Sequence, residues 1–271
     1  MRSYSEFRKY FDQTFKDHKD SVSQQLFSLT DLYQKVAAIY KFAGEHKNTA
    51  FKSPLIFQMV ETALFYGVCL QIRRLVDGGQ KNEISLFKIL QEFKTECVSW
   101  RREEFVTFNG LPYDPTELKK QHLDEEQKIL ERHLREGRTG GWLPIGKHEE
   151  VYRRHRMFDL MCGIAPNNRA PNDTADNKLP IFLLNTIPSN SEAIIRMTNT
   201  YLAHRILYAT GQAPNYRISV SDVEDCVSKI WMVFNVLNAL FYDNYTTPQI
   251  IHSLLLKALN CLSSVSVSLM T

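Results

Sequence analysis

Several signatures that would name a chemistry outright are missing from this chain. It has no Cys-x-x-Cys pair, no phosphate-cradling glycine loop, no Gly-x-Ser-x-Gly elbow and no His-Glu-x-x-His helix. The common forms of zinc-ribbon, P-loop, serine-hydrolase and zincin chemistry are therefore not indicated. The net charge is only +3, so no global basic field marks a nucleic-acid binder, and any such role must rest on local clusters. No run of about 20 uncharged apolar residues is present, so no membrane span is expected. The first residues, Met1 to Phe7, lack the apolar core of a signal peptide. The five cysteines (69, 97, 162, 226 and 261) are odd in number, and Cys69, Cys226 and Cys261 sit in apolar helical patterns. That favours buried reduced thiols in a cytoplasmic protein over a disulfide framework. Strand-type alternation is absent as well.

What is present is helical periodicity in an ordinary globular composition, 44% hydrophobic and 23% charged over 271 residues. Leu26, Leu29, Tyr33, Val36, Ala37 and Tyr40 mark a helix within 21–46. Ser53-Pro54 then opens a second, striped by Phe57, Val60, Leu64, Val68, Ile72 and Leu75 and stopped by Asp77-Gly78-Gly79. A shorter helix is predicted over 85–97 through Leu86, Ile89, Leu90 and Phe93. Residues 116–136 form a highly charged helix with a thin stripe (Leu118, Ile129, Leu130, Leu134) that projects into solvent or packs along one edge. Irregular chain follows from 137 to 180, with one short basic helix near 148–161, and its length suggests a functional loop or lid. Ser189-x-x-Glu192 and Ser221-x-x-Glu224 read as capping boxes opening two further helices. A last helix begins at Thr247-Pro248. The expected fold is all-α, an antiparallel helical bundle forming one domain over 1–271. The segment 98–188 is an insertion between the second and third long helices.

The densest candidate chemistry lies between Ile194 and Arg205, where Arg196, Asn199, His204 and Arg205 share one helix. An amide, an imidazole and guanidinium groups can together hold a phosphodiester and move a proton near neutral pH. The plainer reading is a hydrogen-bonded structural histidine on a half-buried helix.

Two stretches, Leu70-Gln71-Ile72-Arg73-Arg74-Leu75-Val76-Asp77 and Asn199-Thr200-Tyr201-Leu202-Ala203-His204, resemble the HEPN superfamily of helical bundles. The likeness is to its abortive-infection-type branch, over roughly residues 20–97 and 188–262. It implies a metal-independent endoribonuclease that cleaves through the ribose 2′-hydroxyl and works as a homodimer with paired helices facing each other. It also implies a toxin or phage-defence setting, with an antitoxin or defence-system protein as a further partner and no cofactor. In the family pattern an Arg precedes the polar residue matched by Asn199, whereas here that position is Thr198. Arg196 is the nearest upstream arginine. On an ideal helix it lies about 80° around and about 12 Å along the axis from His204, a gap that a long side chain partly closes. Arg205 is the other candidate, about 100° away. His204 is then the proton-transfer residue, Asn199 orients ribose or phosphate, and Arg196 or Arg205 stabilises developing charge. A catalytically degenerate module that binds RNA or protein is the alternative.

Arg153-Arg154-His155-Arg156, after Tyr152, is the densest basic cluster. It reads either as an RNA-contacting patch on the lid or as the solvated face of a short helix. Arg74 is a further RNA-contact candidate beside the His204 groove, against the plainer reading of Arg73, Arg74 and Asp77 as ion pairs at a helix end. His148, His155 and Cys162 recur every seven residues, which matches no zinc pattern, so no metal site is expected.

Overall fold

The computed structural model describes residues 1–17, 19–45, 54–78, 84–137, 146–187, 190–199 and 218–242. The fold is all-α. Ten α-helices are described: α1 (Tyr4–Asp12), α2 (Val22–Glu45), α3 (Pro54–Val76), α4 (Leu86–Glu96), α5 (Arg102–Val106), α6 (Thr116–Arg135), α7 (Lys147–Cys162), α8 (Lys178–Thr186), α9 (Asn190–Met197) and α10 (Val220–Phe241). Among the described residues the sole β feature is an isolated bridge between Arg101 and Thr174.

Chain contacts divide the molecule into two compact units. One comprises residues 1–8, 94–179 and 239–246, and the other comprises 9–93, 180–238 and 247–271. In the second unit α2 packs on α3, and α3 packs on α9. α3 opens at Pro54, whose fixed φ suits a first helical position, and closes at Val76 before Asp77-Gly78. Arg73 pairs with Asp77 at 3.4 Å across its last turn. α4 buries the four residues its spacing predicts, Leu86, Ile89, Leu90 and Phe93. Phe15 stacks on Phe234 of α10 at 4.7 Å between ring centroids, and Trp231 donates its indole N–H to Thr30 Oγ1 at 3.1 Å.

The first turn of α10 differs from the sequence expectation. Its capping box is Ser219 with Asp222, not Ser221 with Glu224. Ser219 N donates to Asp222 Oδ2 at 2.8 Å, and Asp222 N donates to Ser219 Oγ at 3.1 Å. The Ser219 amide and hydroxyl, both donating to the carboxylate, hold the Asp222 carboxyl below its usual range. Glu224 instead accepts the Tyr33 hydroxyl at 2.8 Å, and this bond to the carboxylate raises the Tyr33 phenol above its ordinary value.

In the other unit the core is aromatic. Tyr4, Phe7, Trp100, Phe105, Phe108 and Phe241 meet edge to face or tilted, for instance Tyr4 on Phe105 at 4.7 Å and Phe7 on Trp100 at 4.8 Å. Such pairs add about 0.5–1.5 kcal/mol each beyond their burial. α7 threads this unit rather than covering it. Val151, Phe158 and Met161 are fully buried, and the helix ends at Gly163 in the left-handed conformation (φ 67°) that favours glycine. α6 is the outlier and contributes no buried residue.

Candidate functional site

α9 does not stop at Met197. Thr198 and Asn199 continue it in a wider, π-type turn. Ile194 is fully buried and Met197 nearly so, which sets the inward face of the helix. Thr198 falls on that face. It is fully buried, and its hydroxyl turns back to donate to the Ile195 carbonyl at 3.0 Å. Arg196 points outward, its Nη2 donating to Glu192 Oε1 at 2.6 Å, with side-chain exposures of 58% and 67%. So exposed a pair contributes at most about 1 kcal/mol. Asn199 is half-buried, three residues further along. Arg196 and Asn199 are therefore offered on one side of the helix while Thr198 faces the core. His204 and Arg205 lie outside the described residues.

Arg74 at the end of α3 is exposed and sits 3.7 Å from Asp20, a loose surface pair. This matches the plainer reading of that cluster as ion pairs, though it leaves the side chain accessible.

The basic run on α7 is not the uniform cationic patch its letters suggest. Glu150, one turn upstream, gathers both neighbouring arginines: Arg153 Nε donates to its Oε2 at 2.7 Å and Arg154 Nε to its Oε1 at 2.6 Å. Arg153 also donates to the Ala239 carbonyl at 2.6 Å, and Arg154 to the Val106 and Phe108 carbonyls. Arg154 is buried and takes no part in a solvent-facing lid. Its job is to bind the end of α5 to α7 by satisfying backbone carbonyls there. Arg153 is half-buried, and only Arg156 of this run is exposed. A small cavity of about 20 Å³, with Tyr4, Arg8, Phe105, Phe108, Arg153 and Arg154 among its walls, adjoins them; its volume is that of about one water.

His155 is buried, its Nε2 2.9 Å from the Tyr113 carbonyl. A carbonyl accepts only, so the ring donates through Nε2–H and the neutral ring is unprotonated at Nδ1, which is buried without a hydrogen-bond partner. Burial pushes His155 below the ordinary histidine value, and the nearby Arg169 and Arg102 charges add to the shift.

Those two arginines belong to an ion network that the sequence reading did not single out. Arg102, fully buried at the start of α5, donates from Nη1 to Asp159 at 2.6 Å and from Nε to Asp173 at 2.7 Å. Arg169 pairs with Asp159 from the other side. Burial opposes the charge of Arg102, but the bonds to Asp159 and Asp173 outweigh it and hold the group above its ordinary value. A fully buried arginine is invisible to spacing arguments, since Arg101-Arg102-Glu103-Glu104 looks like surface charge. Cys162 Sγ lies 3.3 Å from Arg102 Nη2, yet burial still raises its thiol pKa. Cys69, Cys97 and Cys226 are pushed up to about 12, mainly by burial, and are inert thiols. Among the described residues no three His, Cys, Asp or Glu side chains form a metal-holding group, and no helix is long and apolar enough to cross a membrane.

The residues therefore sort into a partly exposed pair on α9, Arg196 and Asn199, and a buried ionic framework around α7. Comparison with protein-family models, with curated proteins and with solved structures returns no match in any of the three.

Proposed function

We propose that this protein acts on RNA as a HEPN-like, metal-independent endoribonuclease of the toxin or phage-defence kind. The observation that carries the reading is the division of labour on α9. Thr198, at the family's arginine position, is fully buried, while Arg196 extends outward on the side that offers Asn199. An arginine at 198 would point into the core, so on this helix the charge-stabilising role falls to Arg196. In the proposed step His204 removes the ribose 2′-hydroxyl proton. The 2′ oxygen attacks phosphorus, the bond to the 5′ oxygen breaks, and a proton is delivered to that leaving oxygen. Arg196 stabilises charge on the phosphoryl oxygens, Arg205 is its alternate, and Asn199 orients the ribose or phosphate. Arg156 and Arg74, both exposed, are the accessible RNA contacts, with the half-buried Arg153 secondary to them. A homodimer, a cytoplasmic setting and an antitoxin or defence-system partner accompany the same reading.

A second reading rests on the same buried Thr198. With no arginine at that position, the domain binds RNA or a protein without cutting. Incubating the pure protein with mixed RNA in EDTA separates the two. Cleavage in EDTA supports the endoribonuclease. Cleavage that requires magnesium contradicts its mechanism, and RNA retention without cleavage under any condition selects the binding module.

A further inference from the structure

We propose that α6 is a self-association helix, docking antiparallel on the same helix of a second copy of this chain. Leu123, Leu130 and Leu134 of α6 are 51%, 59% and 72% exposed. At about 100° per residue they lie within about 20° of one another's mean direction, a single stripe along the helix. α6 meets its own unit on a different side. Leu118, His122, Ile129 and His133 are half-buried there, with the His122 ring 5.0 Å from that of His148 on α7. That packed side is centred about 110° around the helix from the leucine stripe. The stripe is thus not a frayed part of the core but a second apolar face.

The charges beside the stripe choose the occupant. Lys119 and Lys120 flank its N-terminal half, while Glu126 and Glu131 flank its C-terminal half. A parallel pair of these helices sets like charge on like. An antiparallel pair sets lysine on glutamate at both ends and opposes the two helix dipoles. In the register that places Leu123 of one copy on Leu130 of the other, Lys120 falls within about one turn of Glu131 of the other copy. Gln127, between the two leucines, occupies the middle, where a polar side chain specifies register. Within α6, Glu131 accepts a hydrogen bond from Gln127 at 3.1 Å and Glu126 lies 3.1 Å from His122 Nε2, and both carboxylates sit at the edge of the seam. A seam about 30 Å long is small for an interface, so the association is expected in the micromolar range.

Sedimentation equilibrium of the full chain across the micromolar range tests this. The proposal predicts a reversible, concentration-dependent association step, additional to any dimer made by the His204-bearing helices, that Leu130→Glu weakens at least about tenfold. Leu130 is exposed, so the variant is expected to keep its helix content by circular dichroism. Lys120→Glu and Glu131→Lys should each weaken the dimer, and the doubly reversed variant should recover it. No such step at any concentration, a step indifferent to Leu130→Glu, or single reversals that the double variant does not rescue would each overturn it. So would finding that the stripe binds only a different protein. Mass is the readout, so this test stands or falls apart from RNA cleavage.

Discussion

Arg102 donates to Asp159 at 2.6 Å while its own side chain is fully buried, and the same guanidinium holds Asp173 at 2.7 Å. One cation thereby ties α5 to α7 and to the loop before α8. Removing it strands the largely buried Asp173 carboxylate and leaves Asp159 to Arg169 alone. Arg102→Ala is expected to cost about 3–5 kcal/mol in urea denaturation, the range for breaking a buried pair by deleting one partner. Arg102→Lys should recover only part of this, because an ammonium cannot reproduce the fork that reaches both carboxylates. A loss under about 1 kcal/mol for Arg102→Ala would contradict the assigned role.

His155 sets a pH dependence. Its folded value is depressed, chiefly by burial, so the unfolded chain takes up a proton near about pH 6.5 that the folded chain refuses. Stability contributed by the neutral ring is present above that pH and falls as pH drops toward the folded value, with no further loss below it. Denaturation midpoints followed downward from neutral pH should show this decline, and His155→Gln should flatten it. An unchanged slope in the variant would show that other groups govern the acid limb.

The arginines of α7 separate by environment. Arg154→Ala removes donors from two backbone carbonyls and from Glu150 and is expected to destabilise by about 2–3 kcal/mol. Arg156→Ala, at an exposed position, should stay within about 0.5 kcal/mol of the parent while weakening RNA retention on a filter. Equal destabilisation by the two would contradict this assignment.

Much of the helical layout is legible in the letters, because an apolar stripe at helical spacing and a proline or glycine at a boundary leave few alternatives. α4 is the clearest case, with its four periodic residues all buried. α6 is only partly so: the charged helix is there, but the single stripe expected through Leu118, Ile129, Leu130 and Leu134 divides, with Leu118 and Ile129 half-buried against its own unit while Leu130 and Leu134 stay exposed. Local chemistry misleads where two solutions compete. Ser221 and Glu224 have the spacing of a capping box, but Ser219 and Asp222 form it, and Glu224 serves Tyr33. The ionic framework was not legible at all. Arg102, Asp159 and Asp173 are far apart in sequence, and nothing in a charged letter says that its partner waits inside. The same limit applies to Arg154, whose burial rests on Glu150 and on carbonyls contributed by α5 and the turn after it.

Arg196 is the position where function and stability come apart. Its exposed pair with Glu192 contributes little, so Arg196→Ala should leave thermal denaturation almost unchanged, within about 0.5 kcal/mol. A clear loss of stability would mean that Arg196 is a structural residue.

The most direct test of the RNA-acting site is the cleavage rate of a mixed RNA substrate in EDTA by the parent chain, Arg196→Ala and His204→Ala, each checked by thermal denaturation. Cleavage by the parent, abolished in both folded variants, is the predicted result. Full activity in a folded His204→Ala variant would contradict the proposed mechanism.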